Sequence, residues 1–229
     1  MQTGRVSVEW RCNMKYQTVI FDLDGTLLNT LEDLHAATNY ALEQCGMPVR
    51  TLDEVRRFVG NGIRKLMIRA IPDGEANPRF EEAFAKFQEY YKVHCNDTTK
   101  PYTGVVELLE QLKQQGVKLA IVSNKADFGV KELQKIYFDG LIPVAIGERE
   151  GIRKKPAPDT VYQALEELEA DGRQAVYVGD SDVDIQTAAN AGLPCISVTW
   201  GFRDREFLAE HGATQYAADT QELQKLLGI

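Results

Sequence analysis

Apolar and polar positions follow two different periods along this chain. Thr18-Val19-Ile20-Phe21 is an unbroken β-branched and aromatic run, the pattern of a strand buried on both faces. After Thr26 the period lengthens: Leu27, Leu28, Leu31, Leu34, Ala37, Tyr40 and Ala41 recur at helical spacing as far as Gly46 and Pro48. No buried strand is expected over 51–96. Val55, Phe58 and Val59 lead into a Gly60-Asn61-Gly62 break, and Ile63, Leu66, Met67 and Ala70 return to helical spacing. Phe80, Ala83, Phe84, Phe87, Tyr90 and Tyr91 then mark one side of a longer helix and form the core of the insert. About four helices thus make an all-α insert between Asn29 and Lys100, and Pro101 and Gly104 mark the return.

Beyond the return, strands and helices alternate. Helices are predicted over 105–115, 125–136, 159–169 and 183–191, and strands over 117–122, 143–146, 175–178 and 195–199. Alternation of this kind implies right-handed crossovers, a parallel sheet and helices on both faces. The expected fold is α/β: a doubly wound parallel sheet, or Rossmann-like core, from residues 1–28 and 101–229, with an inserted all-α cap domain over 29–100. Because the insert follows the first strand directly, it can fold over that strand's end.

Composition narrows the classes of function. The 229 residues are 44% hydrophobic and 26% charged, an ordinary globular balance. A formal net charge of −8 argues against nonspecific binding to nucleic acid or an anionic membrane, so an anionic substrate needs local positive charge. No apolar stretch is long enough to span a bilayer. Cys12, Cys45, Cys95 and Cys195 are scattered without a CxxC pair, which points to a reducing cytoplasm rather than to zinc or a disulfide framework. Residues 1–13 lack the apolar core of a signal peptide; an extra edge strand over 5–10 competes there with a start at Met14. A monomer or homodimer is expected.

The chemistry concentrates where strands end. The first run stops at Asp22-Leu23-Asp24-Gly25-Thr26. In a continuing strand Asp22 and Asp24 would share one face as like charges, whereas a turn permitted by Gly25 projects both from the C-terminal edge. Paired acids there suit an oxygen-ligated cation such as Mg²⁺. An Asp-rich turn capping a helix is the plainer alternative. Ser123-Asn124-Lys125 either holds an anion or is an ordinary helix cap. Arg153-Lys154-Lys155-Pro156-Ala157-Pro158 is either a solvated basic turn or a stiff loop presenting one ammonium. Gly179-Asp180-Ser181-Asp182-Val183-Asp184 superficially opens a calcium loop, but Ile185 and Ala191 stand where that loop needs Gly and Glu.

Taken together, FDLDGT, SNK, KKPAPD and GDSDVD closely resemble, in order, the four motifs of the haloacid dehalogenase superfamily. The likeness runs from about Lys15 to the C-terminus. It is nearest to the phosphoglycolate phosphatase-like subfamily with an α-helical cap, through Phe58-Val59-Gly60-Asn61-Gly62 and Thr199-Trp200-Gly201-Phe202-Arg203. Asn29-Thr30 departs from the Asp-Ser pair of many relatives. The resemblance implies that Asp22 is a nucleophile forming an aspartyl-phosphate and that Asp24 is the acid and then the base. Asp22, the Asp24 backbone carbonyl and Asp180 would ligate Mg²⁺. Gly25, Thr26, Ser123 and Lys155 would hold the phosphoryl group, with Asn124 positioning the reacting groups. Asp184 would orient Lys155 or metal-bound water, and Lys154 is the adjacent alternative for the lysine.

The implied function is Mg²⁺-dependent hydrolysis of a small phosphorylated metabolite, with 2-phosphoglycolate the leading substrate. An inorganic pyrophosphatase or sugar-phosphate mutase shares the same core motifs, and a noncatalytic binding module is the alternative of another class. In the insert, Arg64 follows Gly62 near a predicted helix N-terminus, where a cation is disfavoured unless an anion is close. The expectation is that Arg64 reads the substrate's second anionic group; a solvated helix face is the alternative.

Overall fold

The computed structural model describes residues 15–229. Cys12, Met14 and the edge strand considered over 5–10 lie outside the described residues. The chain begins with β1 (Thr18–Phe21), β2 (Leu28–Asn29) and four helices: α1 (Leu31–Gln44), α2 (Leu52–Phe58), α3 (Ile63–Ala70) and α4 (Phe80–His94). There follow β3 (Lys100–Pro101), α5 (Val105–Gln114), β4 (Lys118–Ala126), α6 (Asp127–Phe138), β5 (Val144–Glu148) and α7 (Asp159–Glu167). The chain ends with β6 (Ala175–Gly179), α8 (Asp182–Ala191), β7 (Cys195–Val198), α9 (Arg205–Glu210), β8 (Tyr216–Ala217) and α10 (Thr220–Leu227).

Six strands form one sheet in the order β5-β4-β1-β6-β7-β8, paired in parallel throughout. Alternate residues feed opposite faces. Val19 and Phe21 join a core cluster with α5, α6 and α10, while Ile20 joins another with α7 and α8. The sheet is therefore covered on both sides, as its continuous apolar strands require. The chain leaves β1 for β4 and β5 on one side, then crosses to β6, β7 and β8 on the other. The crevice beyond the C-terminal ends of β1, β4 and β6 is such a sheet's natural ligand site.

Helices α1–α4 bury a separate cluster that includes Leu34, Leu66, Met67, Phe87 and Tyr91, with Phe202 entering it from the segment after β7. β2 and β3 pair antiparallel, Asn29 opposite Lys100, where the helical segment leaves and returns. The Asp33 carboxylate in α1 also accepts bonds from the backbone and hydroxyls of Thr98 and Thr99.

Two expectations need correcting. Ser123-Asn124-Lys125 does not open a helix: β4 runs on to Ala126, whose partner is Glu148 of β5, and α6 starts at Asp127. The ladder is held at Val122 and again at Ala126, and the bulge between them brings Ser123, Asn124 and Lys125 to the crevice. The other concerns the residues after β7, where α9, β8 and α10 add elements too short for the periodicity to reveal.

Candidate active site

The end of β1 is wound into a tight turn. The N–H groups of Thr26, Leu27 and Leu28 all donate to the Leu23 carbonyl, and Gly25 N–H donates to the Leu28 carbonyl. Gly25 has φ +88°, and a Cβ there would lie 2.3 Å from Asp180 Oδ2. Only glycine lets the turn approach Asp180 this closely. Asp22 and Asp24 both line a pocket with Ser123, Asn124, Lys125, Lys155 and Asp180, roofed by Val59 to Ile63, Leu66 and Tyr91.

Lys155 is the hub. Its Nζ lies 2.7 Å from Asp184 Oδ1 and 2.9 Å from Asp22 Oδ1, with the side chain 3% exposed. It also donates to Tyr177 Oη at 3.0 Å. Asn124 fixes the lysine's backbone by a two-way amide clamp: Nδ2 donates to the Lys155 carbonyl, and Oδ1 accepts from its N–H. Lys154 instead pairs with Glu148 at 3.3 Å, which settles which lysine enters the site.

Three acids therefore face one lysine. Asp22, Asp180 and Asp184 each offer a carboxylate oxygen, all within 4.8 Å of one another. Burial, then the Asp184 charge, pushes the Asp22 carboxyl well above its ordinary range against the pull of Lys155. Asp180 is pushed up to about 7, again by burial first and Asp184 second. Asp22 Oδ1 makes no hydrogen bond, because its contact with Lys155 lacks the alignment for one. A surplus of buried carboxylate charge and an oxygen-only donor set are what a hard divalent cation would satisfy. Asp184 is the most committed member, its Oδ1 on Lys155 and Tyr177 and its Oδ2 on Ser181.

Asp24 faces away from this cluster. Its Oδ1 pairs with Lys125 Nζ at 3.2 Å, and that ammonium also donates to Tyr91 Oη of α4 at 2.5 Å. Burial opposes the Lys125 charge, but Asp24 and Tyr91 outweigh it and its pKa is raised. Burial pushes the Tyr91 phenol up to about 12.

Three site expectations change. Thr26 is 1% exposed, and its hydroxyl lies 3.3 Å from Asp180 Oδ1, so it holds an acid rather than facing the pocket. Gly25, with its N–H spent on Leu28, shapes the turn instead of meeting substrate. Arg64 lies outside the pocket lining. Its guanidinium pairs with Glu75 at 3.1 Å and Glu81 at 2.6 Å and stacks over Phe80 and Phe84. The anion that a cation near this helix start demands is supplied by the protein itself.

Lys125, Tyr177 and Arg203 have no role legible in the sequence, and Tyr91 stands there only as a core position of a helix. Arg203 lines the pocket and donates to the Arg56 and Val59 carbonyls, while Arg56 donates back to the Phe202 carbonyl. Among the described residues it forms no ion pair with a carboxylate, and burial lowers its pKa. No local period singles out Lys125, which lies in the bulge of β4 between Val122 and Ala126.

Known proteins match this arrangement. The family model described as haloacid dehalogenase-like hydrolase matches residues 19–198. The phosphoglycolate phosphatase of Neisseria meningitidis is 36% identical over 204 residues, covering 87% of each chain. That of Aquifex aeolicus is 32% identical over 188 residues, 81% of this chain and 86% of its own. A crystal structure from Lactobacillus delbrueckii subsp. bulgaricus, assigned provisionally as a phosphoglycolate phosphatase, superposes with a TM-score of 0.90 at 37% identity, covering 94% of this chain and all of that one.

Proposed function

This chain belongs to the haloacid dehalogenase-like hydrolases and is a phosphatase, and from that we propose that it hydrolyses 2-phosphoglycolate with Mg²⁺ through an aspartyl-phosphate on Asp22. The observation that carries the reading is the Lys155 Nζ seated 2.9 Å from Asp22 at the end of the central strand, on the floor of a pocket. The relatives' names supply the substrate.

In this reading Asp22 attacks phosphorus in line, since a fixed carboxylate replaces a poorly oriented water. The bond from phosphorus to the leaving oxygen breaks as Asp24 gives that oxygen its proton; Asp24 then takes a proton from the water that releases phosphate. Lys155 and Ser123 meet the charge on the phosphoryl oxygens, and Asn124 holds Lys155 in place. Asp22, Asp180 and the Asp24 backbone carbonyl would hold Mg²⁺, which when bound neutralises phosphoryl charge. Residues 29–100 act as a cap over the site, and the free Cys45, Cys95 and Cys195 suit a reducing cytoplasm. Among the described residues no helix is long and apolar enough to cross a membrane.

The testing experiment is phosphate release from a panel of phosphomonoesters with and without Mg²⁺. Preferred turnover of 2-phosphoglycolate, lost with a chelator, is expected. Selective turnover of pyrophosphate or a sugar phosphate would overturn the substrate.

The carboxylate of that substrate needs a cation, and among the described residues Arg203 is the pocket-lining cation that forms no ion pair with a carboxylate. Arg203→Met should lower kcat/KM for phosphoglycolate by roughly ten- to a few hundred-fold more than for a neutral-tailed phosphomonoester, the worth of one charge-assisted contact. Arg64→Ala should leave that ratio unchanged. Equal losses on both substrates in the Arg203 variant would remove it from recognition.

Metal binding should also depend on pH. The acids bind a cation only when deprotonated, and Asp22 and Asp180 hold protons above the ordinary carboxylate range. Below about pH 7, where Asp180 takes up its proton, binding weakens by about tenfold per pH unit. The rise in Tm produced by MgCl₂ should therefore be larger at pH 8 than at pH 6, and an equal rise at both would contradict the shared site.

A further inference from the structure

Lys125 stands apart from the phosphoryl-holding groups. Its ammonium is buried, with the side chain 6% exposed, yet it makes no contact with the Asp22, Asp180 and Asp184 cluster. Its two partners are Asp24 Oδ1 at 3.2 Å and Tyr91 Oη at 2.5 Å. The stem is confined as well: its Cε, Cδ and Cγ atoms lie 3.7–3.9 Å from where a Cβ on Gly129 of α6 would sit. The backbone N–H donates to the Ser123 hydroxyl at 3.2 Å. A buried cation held at both ends fixes whatever it touches, and the acid it touches is the one the reaction needs in a single orientation.

We propose that Lys125 is a positioning residue for Asp24, and that Tyr91 of α4 completes its hold, so that the helical segment over the pocket helps to set the catalytic acid. The inference rests on the reading of Asp24 as acid and base. In the first transfer the bond from phosphorus to the leaving oxygen breaks and one from Asp22 to phosphorus forms. The Asp24 proton moves to the leaving oxygen, and Asp24 is left as a carboxylate facing the Lys125 ammonium. Lys125 therefore holds the carboxyl in place before transfer and meets the charge that appears on it during transfer. Tyr91 keeps the ammonium from swinging toward solvent or toward the Asp22 cluster.

Leaving-group dependence separates this role from a merely structural one. An alkoxide leaves only with a proton, whereas the aryl oxide of p-nitrophenyl phosphate leaves readily without one. Because kcat/KM reports the steps through phosphoryl transfer, the ratio of kcat/KM for a neutral-tailed alkyl phosphomonoester to that for p-nitrophenyl phosphate isolates the acid's contribution. That ratio is also indifferent to the fraction of enzyme that is correctly folded. It should be measured for wild type, Asp24→Asn, Lys125→Met and Tyr91→Phe.

Asp24→Asn should lower the ratio most. Lys125→Met should lower it by about ten- to a hundredfold, part of the 10²–10⁴ that a positioned acid contributes. Tyr91→Phe, which removes only the hydroxyl, should lower it by about three- to tenfold, the value of one hydrogen bond. If Asp24→Asn lowers the ratio and Lys125→Met leaves it at the wild-type value, the positioning role is overturned while Asp24 remains the acid. If Tyr91→Phe alone leaves it unchanged, the contribution of α4 is overturned. If Asp24→Asn itself leaves the ratio unchanged, the acid reading fails and this inference fails with it.

Discussion

Asp22→Asn should lose phosphatase turnover by roughly 10⁴-fold or more on every accepted substrate, the scale on which removal of a covalent nucleophile acts. The fold should survive and gain slightly. Asp22 is a buried acid whose carboxyl is pushed upward by burial and by Asp184. An acid whose folded-state pKa is raised costs stability once the pH exceeds its unfolded value, about 4, and the cost is fully developed above its folded value. The neutral amide removes that cost and one of the charges crowded about Lys155. In metal-free protein the variant's Tm should therefore equal or exceed wild type at pH 8, with little difference near pH 4. A folded variant that retains wild-type turnover would show that Asp22 is not the nucleophile. One that fails to fold would show that its charge is structural.

Lys155→Met should harm both function and fold. It removes the cation nearest the attacking carboxylate, with an expected loss of about 10²–10³ in kcat from electrostatic stabilisation alone. It also leaves Asp22, Asp180 and Asp184 facing one another without a cation. Removing one partner from a buried ion pair costs about 3–5 kcal/mol. Asp22 and Asp180, whose carboxyls are already raised, then hold protons in the folded protein to higher pH than in the unfolded chain, so unfolding releases protons and stability falls as pH rises. Denaturant titration should show the deficit growing from pH 5 to pH 8, and Mg²⁺ recovering part of it. A deficit independent of pH would mean that lost packing of the lysine stem outweighs its charge.

Of the residues that meet at Asp22, Asp22 and Asp180 were legible because each directly follows a strand, and Lys155 because prolines stiffen its loop. Phe21-Asp22, Val178-Gly179-Asp180 and the stiff Lys155-Pro156 segment carry that signal locally. A parallel sheet does the rest, bringing all C-terminal strand ends to one edge. What could not be read depended on partners supplied by the fold. Whether Ser123 to Lys125 opens a helix is decided by β5, which pairs with β4 on either side of the segment, at Val122 and Ala126. Arg64 looked available because Glu75 and Glu81 reach it only once the chain turns back between α3 and α4. Tyr91 matched the apolar stripe of α4, and nothing in that stripe shows that its hydroxyl reaches a lysine of β4. Arg203 lies in the segment after β7, where its contacts with the Arg56 and Val59 carbonyls are entirely long-range.

The covalent route is tested most directly by the stereochemical course at phosphorus. A phosphorothioate monoester made chiral at phosphorus with two oxygen isotopes is turned over in water carrying the third, and the configuration of the released thiophosphate is read. Attack by Asp22 followed by attack by water is two in-line displacements, each inverting phosphorus, so the account predicts net retention. Net inversion would mean that water attacks the substrate directly, and Asp22 would then have no covalent role.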